Sequence, residues 1–394
     1  MTISLWQRTP PRELIRCDVA IIGAGITGLS AALECEARGL SAVILEAEWA
    51  GAKASGRNAG FMIRGAAENY ARASRLYGRE TAREIWELTE ENLRELRALG
   101  LESTEGYRAI PSCIAAMDAQ ELDELHESCE MLRHDGFDAD LVTKDNHPDD
   151  ALWRSGVVLG GMLNPGDAVC SPTELIRLLG ASLGATPLFE NAEVYRLEIE
   201  PTHTALLTQS VEVYASRVLM CTNAYASQLC PALRGVIRPN RAQMLACRPE
   251  NPRDADLQCA YYLNHGSEYI RRGAPGELLM GGARSYHAQD EATACDDTTP
   301  EVQAHLERFI RQLVTDSFLV TARWAGIMGF SPDALPAIGS VDPANAPGEG
   351  RVWFCGGLTG HGMSMGHRIG RHAVGVMLDD EPTRFGLGRF AASA

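Results

Sequence analysis

Three glycines near the start of the chain stand at the spacing that brings a backbone close to phosphate groups. Gly23, Gly25 and Gly28 follow an apolar run and precede a stretch of helix-forming residues. In such a turn the first glycine permits the bend, the second leaves room for a pyrophosphate, and the third lets helix and strand pack closely. The amides of Ile26 and Thr27 then face the phosphates at the positive end of the helix dipole. The pattern therefore predicts dinucleotide binding.

A carboxylate at the end of the next apolar run extends the pattern. Glu46 closes the segment 42–46, which we expect to form the second strand of a βαβ unit. Its carboxylate can accept hydrogen bonds from the ribose hydroxyls of an adenosine nucleotide, and its negative charge disfavours the 2′-phosphate of NADP. The alternative is a glycine turn that packs a helix on a strand without any ligand.

Two further segments favour FAD over NAD as the nucleotide. Ser55–Gly60 follows the acid closely, where an NAD-binding domain would begin another helix. Gly357–Met363 forms a second glycine-rich turn between a predicted strand and a predicted helix, close to the carboxyl end of the chain. A flavin dinucleotide is longer than one phosphate loop can hold, so a second loop far along the chain is expected for FAD.

The composition limits the class of protein and its partners. Hydrophobic residues make up 45% and charged residues 22% of the 394 residues, which is typical of a globular chain long enough for two domains. The net charge of −16 argues against nucleic acid or an anionic membrane as a partner. The 11 cysteines are scattered without a CxxC pair, and this predicts reduced thiols and no metal site.

Neither a membrane segment nor a leader is predicted. The longest apolar run, Val19–Leu33, is too short and too rich in glycine and small polar residues to span a bilayer. The segment Met1–Arg16 carries prolines and several charges, so it lacks the apolar core of a signal peptide. We therefore expect a cytoplasmic protein with no integral membrane segment, and the sequence leaves its oligomeric state open.

Periodicity predicts the elements that must position these loops. Helices are predicted at 29–39, 79–99, 118–134, 173–183, 300–314 and 364–378. Strands are predicted at 17–22, 42–46, 193–199, 211–213, 218–221 and 352–355. A further antiparallel sheet is predicted between 235 and 286, with strands at 243–247, 259–263, 269–271 and 278–280.

On its motifs the chain resembles the D-amino-acid oxidase (DAO) superfamily of FAD-dependent oxidoreductases, in particular the branch of glycine oxidase and γ-glutamylputrescine oxidase. The matching motifs appear in family order and span about residues 17–380. They are Val19–Gly28 with Glu46, Ser55–Gly60, Gly166-Asp167 with Ser171-Pro172, Cys221–Tyr225, Trp324–Gly326 through Ser331–Gly339, and Gly360–Met363.

The resemblance implies an α/β fold. An FAD-binding Rossmann-like domain of the glutathione-reductase type is expected, with an inserted α+β substrate domain built on a mostly antiparallel sheet. The FAD-binding domain is predicted to comprise residues 1–80, 150–230 and 325–394. The substrate domain is predicted to comprise residues 81–149 and 231–324.

The resemblance also implies which residues contact FAD. Hydride arriving at flavin N5 leaves negative charge on N1 and O2, and the start of the helix predicted at 364–378 supplies a positive end there. His361 is expected to donate a hydrogen bond near the ring, the alternative being a loop histidine that packs its own turn. The predicted cofactor contacts are Gly23, Gly25, Ile26, Thr27, Gly28, Glu46, Ala47, Ala54, Ser55, Gly56, Arg57, Asn58, Ala59, Gly60, Phe61, Val194, Thr222, Asn223, Leu358, Thr359, Gly360, His361, Gly362, Met363 and Ser364.

In this superfamily a C–H bond next to an amine nitrogen gives hydride to the flavin, and the resulting imine hydrolyses. The resemblance therefore implies an FAD-dependent amine or amino-acid oxidase or dehydrogenase, with O2 or another acceptor reoxidising the flavin. Two alternatives stay open: an FAD-dependent oxidase or dehydrogenase of 2-hydroxy acids, and a flavin-binding protein without turnover. No catalytic triad is expected, because the protein need only orient a neutral amine over the flavin and exclude water.

Two positions depart from the amino-acid oxidases of the glycine oxidase type, which hold the substrate carboxylate with arginines. Met328 and Gly360 stand where the resemblance places those arginines. Since a bidentate guanidinium is hard to replace, either the substrate lacks an α-carboxylate or another arginine binds it. The candidate substrate-site residues are His361, Arg271, Met328 and Tyr262, with Arg272, Arg284, Arg57, Arg64, Tyr261 and Tyr269 as alternatives.

Two features of the sarcosine-oxidase relatives are missing from the sequence. Those relatives attach FAD through a cysteine in the segment that matches 324–333, which has no cysteine here and Gly326 near the expected place, so non-covalent FAD is predicted. They also use a lysine near the flavin to promote the reaction with oxygen, and Lys53 and Lys144 are the only lysines of this chain. Oxidase and dehydrogenase therefore both stay open.

Overall fold

The chain passes between two structural units along its sequence in the computed structural model, which describes residues 12–342 and 350–393. The first unit takes its residues from 1–56, 175–239 and 328–394, and the second takes them from 57–174 and 240–327. Each unit contains a large sheet. Most of the segment predicted to lack a signal-peptide core, residues 1–11, lies outside the described residues.

The helices and strands are numbered here in chain order. The helices are α1 Ile26–Ala37, α2 Tyr70–Tyr77, α3 Arg79–Ala98, α4 Ala119–His134, α5 Ala151–Arg154, α6 Pro172–Ala181, α7 Ala226–Leu229, α8 Pro300–Leu313 and α9 Gly362–Asp379. The strands are β1 Glu13–Ile22, β2 Ala42–Leu45, β3 Phe61–Met62, β4 Ser112–Ala116, β5 Asp140–Val142, β6 Gly160–Asn164, β7 Ala168–Val169, β8 Leu188–Phe189, β9 Arg196–Ile199, β10 Thr204–Leu207, β11 Val211–Met220, β12 Arg238–Pro249, β13 Ala260–Leu263, β14 Glu268–Arg272, β15 Leu278–Gly282, β16 Phe318–Phe330, β17 Ala337–Ser340 and β18 Val352–Gly356. In the described parts of the chain, no helix combines the length and the apolar character needed to cross a bilayer.

The first unit is built on a sheet whose central strands are parallel. The strand order is β17-β18-β11-β1-β2-β8, and β9 and β10 extend the sheet beside β11. Strand β1 runs parallel to β2 and β11, and β11 runs parallel to β18. Val19–Ile22 of β1 is apolar and buried throughout, as expected for a central parallel strand that is covered on both faces. The order β1, α1, β2 is that of the predicted βαβ unit.

Helices α1 and α9 of the first unit pack against each other through glycines. An added Cβ at Gly370 would lie 2.3 Å from the carbonyl oxygen of Thr27, and one at Gly366 would lie 3.1 Å from Cγ2 of Ile26. Only glycine lets two helix backbones approach this closely. The two helices that begin at the two glycine-rich turns are therefore in direct contact.

The second unit is built on a mostly antiparallel sheet in the order β16-β12-β15-β14-β13-β4-β6-β5. Strands β12, β15, β14 and β13 form antiparallel pairs, whereas β13 and β4 run parallel. One face carries a core cluster that includes Tyr261, Ile270 and residues of α8. The other face carries a smaller cluster around Phe61, with Tyr262 and Tyr269 packed against it. The two clusters follow from the pleat, because successive side chains of a strand point to opposite faces.

Among the described residues the structure contains most of the predicted elements and adds nine strands and three short helices. The long amphipathic helices α3, α4 and α8 end within one residue of their predicted limits. The strand predicted at 193–199 is shorter, Arg196–Ile199. Strands β4, β6 and β16 were not predicted. Strand β6 begins with two glycines and much of β16 is exposed, so neither carries the apolar alternation by which a strand is recognised.

The contact between α1 and α9 can be tested at Gly370. We expect Gly370→Val to lower the free energy of unfolding by about 3 kcal/mol, because its side chain would overlap the backbone of Thr27. The matched control is Gly180→Ala in α6, where an added Cβ meets no atom within 4 Å. In that control the free energy of unfolding should rise by up to about 1 kcal/mol, because alanine has the higher helix propensity. Urea unfolding followed by circular dichroism measures both, and equal stability of the two variants would contradict the helix contact.

Candidate active site

The first glycine-rich turn joins β1 to α1, and its geometry requires glycine at two positions. Gly23 has a φ of +105°, and its N–H donates to the carbonyl oxygen of Leu45 at 2.8 Å. A Cβ at Gly28 would lie 1.9 Å from the carbonyl oxygen of Gly23, so a side chain there would push α1 away from β1. The first and third glycines therefore fix the shape of the turn.

The second glycine leaves space in front of the start of α1. Gly25 is the N-cap residue of α1 and supplies no capping side chain. A Cβ at Gly25 would lie 2.8 Å from Oγ of Ser55, and this hydroxyl oxygen accepts from the N–H of Ile26 at 3.1 Å. Backbone N–H groups at the start of a helix attract phosphate oxygens. The turn therefore has the shape and the polarity of a phosphate site.

Glu46 lies directly after β2, is 8% exposed and forms hydrogen bonds with the first glycine-rich turn and with the residues that follow β2. Its Oε2 accepts a hydrogen bond from the N–H of Ala24 at 2.8 Å, and its Oε1 accepts from the N–H of Glu48 at 2.9 Å. Each carboxylate oxygen has a second lone pair, so both can also accept from a ribose hydroxyl. The carbonyl oxygen of Glu46 accepts from Ala192 at 2.7 Å, which brings the segment with the buried Val194 to the end of β2.

Thr222 lies beside the first glycine, just after β11. A Cβ placed at Gly23 would be 3.8 Å from the backbone nitrogen of Thr222. The Oγ1 atom of Thr222 is buried, and no group among the described residues forms a hydrogen bond with it. Because buried hydroxyls are nearly always hydrogen-bonded, this one is suited to a partner that the protein chain itself does not supply.

Asn223 links the end of β11 to the second glycine-rich loop. Its φ of +42° is in the left-handed region, which asparagine tolerates better than most residues. Its Oδ1 accepts from the N–H of Gly357 at 2.9 Å. At Gly329, in β16, a Cβ would lie 2.4 Å from the same oxygen. Gly329 was not among the predicted site residues, although a glycine inside a strand often marks such a close approach.

The second loop turns sharply between β18 and α9. Gly357, Thr359 and Gly360 have φ values of +71°, +45° and +86°. The N–H of Thr359 donates to the carbonyl oxygen of Gly329 at 3.0 Å, which ties the loop to β16. Helix α9 begins at Gly362, and the side chain of His361 does not cap it. The start of α9 therefore carries the positive end of its helix dipole, as the start of α1 does.

His361 is half-buried at the start of α9. Its Nδ1 lies 3.2 Å from the carbonyl oxygen of Thr359, and a carbonyl only accepts, so we assign the ring proton to Nδ1. Burial lowers the pKa of His361 from the ordinary value of 6.5, although the Thr359 carbonyl partly opposes this. The imidazole is therefore neutral at pH 7, with its lone pair on Nε2. His361 was predicted to donate near the flavin, whereas in this tautomer Nε2 accepts.

Met328 and Gly360, where the resemblance places two arginines, lie together in the first unit. A Cβ at Gly360 would lie 3.3 Å from Sδ of Met328. Met328 is half-buried near the end of β16, one residue before the glycine that contacts Asn223. The two positions together therefore form one apolar patch and contribute no guanidinium.

The segment Arg57–Phe61 belongs to the second unit, where β16 and the residues before α6 hold it. Nε of Arg57 donates to the carbonyl oxygen of Ala325 at 2.5 Å, and Nε1 of Trp324 donates to that of Arg57 at 2.9 Å. A Cβ at Gly60 would lie 2.0 Å from the carbonyl oxygen of Cys170. Main-chain contacts thus fix this segment within its unit. The predicted contacts of FAD with Ala47, Ala54, Gly56, Arg57, Asn58, Ala59, Gly60 and Phe61 stay predictions.

Arg271, predicted to hold a substrate carboxylate, contacts main-chain carbonyls of its own unit and is only 4% exposed. Its Nε donates to the carbonyl oxygen of Ala59. Its Nη1 donates to that of Arg272 at 2.9 Å, and its Nη2 donates to that of Cys170 at 3.2 Å. Burial and the nearby Arg108 lower the pKa of Arg271 to about 10, so it stays a cation at pH 7. The geometry favours a structural role over substrate binding.

Three aromatic rings form a wall on one face of the second sheet. The ring centroid of Phe61 lies 4.9 Å from that of Tyr262 and 5.8 Å from that of Tyr269. Burial raises the pKa of Tyr269 to about 12 and that of Tyr262 even further, so both phenols stay protonated. Tyr261 points to the opposite face, where its hydroxyl donates to Asp150 at 2.6 Å, and it is therefore not part of the wall.

Two of the other candidate arginines and one lysine form ion pairs. Arg64 and Arg272 form ion pairs with acids of the second unit at 2.7 and 3.2 Å. Arg284 is half-buried in the turn after β15, and its burial lowers its pKa. Lys53 pairs with a neighbouring acid and lies 5.6 Å from the centre of an aromatic ring in the first unit. Lys144 is exposed, so neither lysine lies on the substrate sheet.

A family model matches nearly the whole described site. The model named DAO, FAD dependent oxidoreductase, matches residues 18–375. The chain belongs to the DAO family. This confirms the predicted resemblance and identifies FAD as the cofactor.

Two relatives are similar in sequence to most of this chain. The gamma-glutamylputrescine oxidoreductase of Escherichia coli is 27% identical over 394 residues, covering 95% of this chain and 86% of the relative. The glycine oxidase of Geobacillus kaustophilus is 25% identical over 334 residues, covering 82% of this chain and 84% of the relative.

Solved structures share the fold. The crystal structure of glycine oxidase from Geobacillus kaustophilus has a TM-score of 0.74 and 22% identity, covering 95% of this chain and 98% of that chain. The crystal structure of L-proline dehydrogenase from P. horikoshii has a TM-score of 0.73 and 17% identity, covering 95% of this chain and 96% of that chain. These similarities confirm the predicted α/β fold class. The predicted boundaries of the FAD-binding and substrate domains stay predictions.

The residues of the first unit fit FAD. Gly25 leaves space before α1, Glu46 has lone pairs left on both carboxylate oxygens, and Thr222 has a buried hydroxyl that needs a partner. The start of α9 adds the positive end of a second helix dipole. In this DAO family member, these groups would hold the dinucleotide. Gly326 has no side chain that could form a covalent bond, so non-covalent attachment stays the prediction.

The phosphate role of the first turn can be tested at Gly25. We expect Gly25→Ala to lower FAD affinity about tenfold or more, because the methyl group takes up space before α1. In the double variant with Ser55→Ala, which removes the clash with Oγ, affinity should stay low. Gly166→Ala, where an added Cβ meets no atom within 4 Å, is the control. Flavin absorbance per protein after dialysis measures the effect, and full occupancy in the double variant would contradict the phosphate role.

The neutral state of His361 predicts a pH dependence. Because the folded pKa lies below 6.5, the imidazole should stay neutral as the pH falls to that value and become protonated only below it. We therefore expect the rate of flavin reduction to show a His361-dependent decline only below about pH 6.5. In His361→Asn this decline should disappear. A decline centred above pH 6.5 that the variant removes would contradict the assignment.

Proposed function

We propose that this protein is an FAD-dependent oxidoreductase that oxidises the C–N bond of a small aliphatic amine whose reacting carbon carries no carboxylate. The observation that carries the proposal is the apolar patch of Met328 and Gly360. A planar carboxylate next to the reacting carbon would need a bidentate guanidinium, and these two positions supply none. Burying such a carboxylate against a thioether without a partner would cost several kcal/mol.

The names of two relatives contrast an amine with an amino acid as substrate. One relative is named for gamma-glutamylputrescine, in which the carbon next to the terminal amine carries no carboxylate. Another is named for glycine, in which the reacting carbon does. The chain departs from the second chemistry at Met328 and Gly360, where the resemblance to glycine oxidase places arginines. The same departure disfavours 2-hydroxy acids, which also carry a carboxylate next to the reacting carbon.

The chain's own groups can prepare an amine for this reaction. FAD, when bound, supplies the acceptor for hydride from the carbon next to nitrogen. An alkyl ammonium must first lose a proton, because only the neutral amine has a nitrogen lone pair that assists hydride loss. Neutral His361 carries its lone pair on Nε2, and we propose this atom as the proton acceptor. The backbone N–H groups at the start of α9 would stabilise negative charge near them.

The aromatic wall of Phe61, Tyr262 and Tyr269 supports an aliphatic substrate. Its phenols stay protonated, so the wall brings apolar area and neutral hydroxyl groups but no anion. We propose Tyr262 as a substrate contact on this basis. Arg271, whose guanidinium contacts three carbonyls, serves in this proposal to fix the segment around Ala59.

An anaerobic substrate screen tests the proposal. The FAD-loaded protein is mixed without oxygen with primary alkylamines and acylated diamines, then with α-amino acids of matched chain length, and then with 2-hydroxy acids. We expect bleaching of the flavin absorbance by amines alone. Bleaching by 2-hydroxy acids would support oxidation of C–O bonds instead. No bleaching by any class would support a flavin-binding protein without turnover.

Substitutions of Met328 test whether the apolar patch selects substrates without a carboxylate on the reacting carbon. We expect Met328→Arg to raise the rate constant for reduction by an α-amino acid about tenfold or more relative to the matched amine, because a guanidinium can then pair with the carboxylate. Met328→Leu keeps the volume and the apolar character and should keep the preference of the wild type. Single-turnover flavin reduction by stopped flow measures both. An unchanged ratio of the two rate constants in Met328→Arg, with flavin still bound, would contradict the role of the patch.

A further inference from the structure

A cavity of about 840 Å³ in the second unit is lined by four arginines, although the whole protein has a net charge of −16. The four are Arg108, Arg154, Arg253 and Arg272. The lining shares no residue with the glycine-rich turns of the first unit or with the aromatic wall. Like charges gathered in one cavity repel each other unless anions offset them. The ionic partners of these arginines therefore decide what the cavity can bind.

Arg108 lies over the end of β14, the strand that carries Arg272. Its Nη2 donates to the carbonyl oxygen of Arg272 at 3.1 Å and to that of Gly273 at 2.6 Å. The Nε atoms of both arginines are buried, and no hydrogen bond to a described residue satisfies either of them. Burial and the charge of Arg272 lower the pKa of Arg108. Two cations are thus held near each other, an arrangement that an anion in the cavity would stabilise.

The acids of the lining do not neutralise this pair. Asp256 pairs with Arg272 at 3.2 Å, so Arg108, Arg272 and Asp256 together keep one positive charge. Arg154 already pairs with two other acids of the lining. Arg253 is exposed and forms no ion pair within the described residues. One anion would therefore neutralise the charge that remains at Arg108 and Arg272, and Arg253 would attract it from the rim.

We infer that this cavity binds a small oxyanion, a carboxylate or a phosphate, between Arg108 and Arg272. Guanidinium groups match the oxygen spacing of both groups and form charge-assisted hydrogen bonds with them. The volume lies within the range of about 300–1,000 Å³ that is typical of small-molecule sites. Arg271 and Arg272 are consecutive in β14 and point to opposite faces of the sheet. The cavity lining includes neither Arg271 nor any ring of the aromatic wall.

Calorimetry on the full-length FAD-loaded protein tests the inference. Sodium phosphate and sodium succinate are titrated separately, each against sodium chloride at matched ionic strength. We expect saturable binding of at least one oxyanion, and a rise in the unfolding temperature that chloride does not produce. The two titrations tell which oxyanion the site prefers. If neither binds beyond chloride, the inference is wrong, whereas the substrate screen above is unaffected by either result.

Charge variants locate the binding. We expect Arg108→Gln and Arg272→Gln each to weaken binding about tenfold or more. Asp256→Asn should tighten binding several-fold, because it removes the carboxylate that competes for Arg272, and misfolding cannot produce such a gain. Arg94→Gln, in an exposed arginine of α3 paired with Glu91, is the control and should bind as the wild type does. Unchanged affinity in the arginine variants, or no gain in Asp256→Asn, would overturn the inference.

Discussion

The close contact between Gly28 and the carbonyl oxygen of Gly23 is the constraint on which the rest of the first unit depends. It allows α1 to rest directly on the end of β1, where the N–H of Ile26 donates to Oγ of Ser55 beside Gly25. Thr222 lies beside the same turn, and Glu46 accepts a hydrogen bond from it. Helix α9 packs on α1, so the position of the second glycine-rich loop depends on that of the first.

Features set by local sterics could be predicted from the sequence. The glycine spacing, the apolar run of β1 and the acid after β2 all lie within one βαβ unit, and the turn was predicted from them. Features set by distant partners could not be predicted. The partners of Arg271, for example, lie at Ala59 and Cys170, more than 100 residues earlier in the chain. The ring proton of His361 depends on how its own loop folds back onto Thr359, which the residue types do not specify. No periodicity in the sequence reports such contacts.

A buried arginine can act mainly as a hydrogen-bond donor to main-chain carbonyls and not as a binding site for an anion. A guanidinium has five N–H donors, and a buried carbonyl without a partner is costly, so an arginine can close several loops at once. Arg271 does so for segments on either side of it. Arg108 also donates to two carbonyls. However, Arg108 and the neighbouring Arg272 together have only one acid, Asp256, as an ionic partner. The number of ionic partners, and not the residue type, therefore distinguishes the structural Arg271 from the proposed anion site at Arg108 and Arg272.

Asn223 couples parts of the chain that redesign would treat as independent. Its side-chain oxygen accepts a hydrogen bond from the N–H of Gly357 and leaves no room for a side chain at Gly329. The ends of β11 and β16 and the loop before α9 therefore all meet at this one oxygen atom. A longer residue at any of these places would move all three together. Engineering of a new substrate preference would therefore begin with side chains that point away from this junction and retain the asparagine with its two glycines.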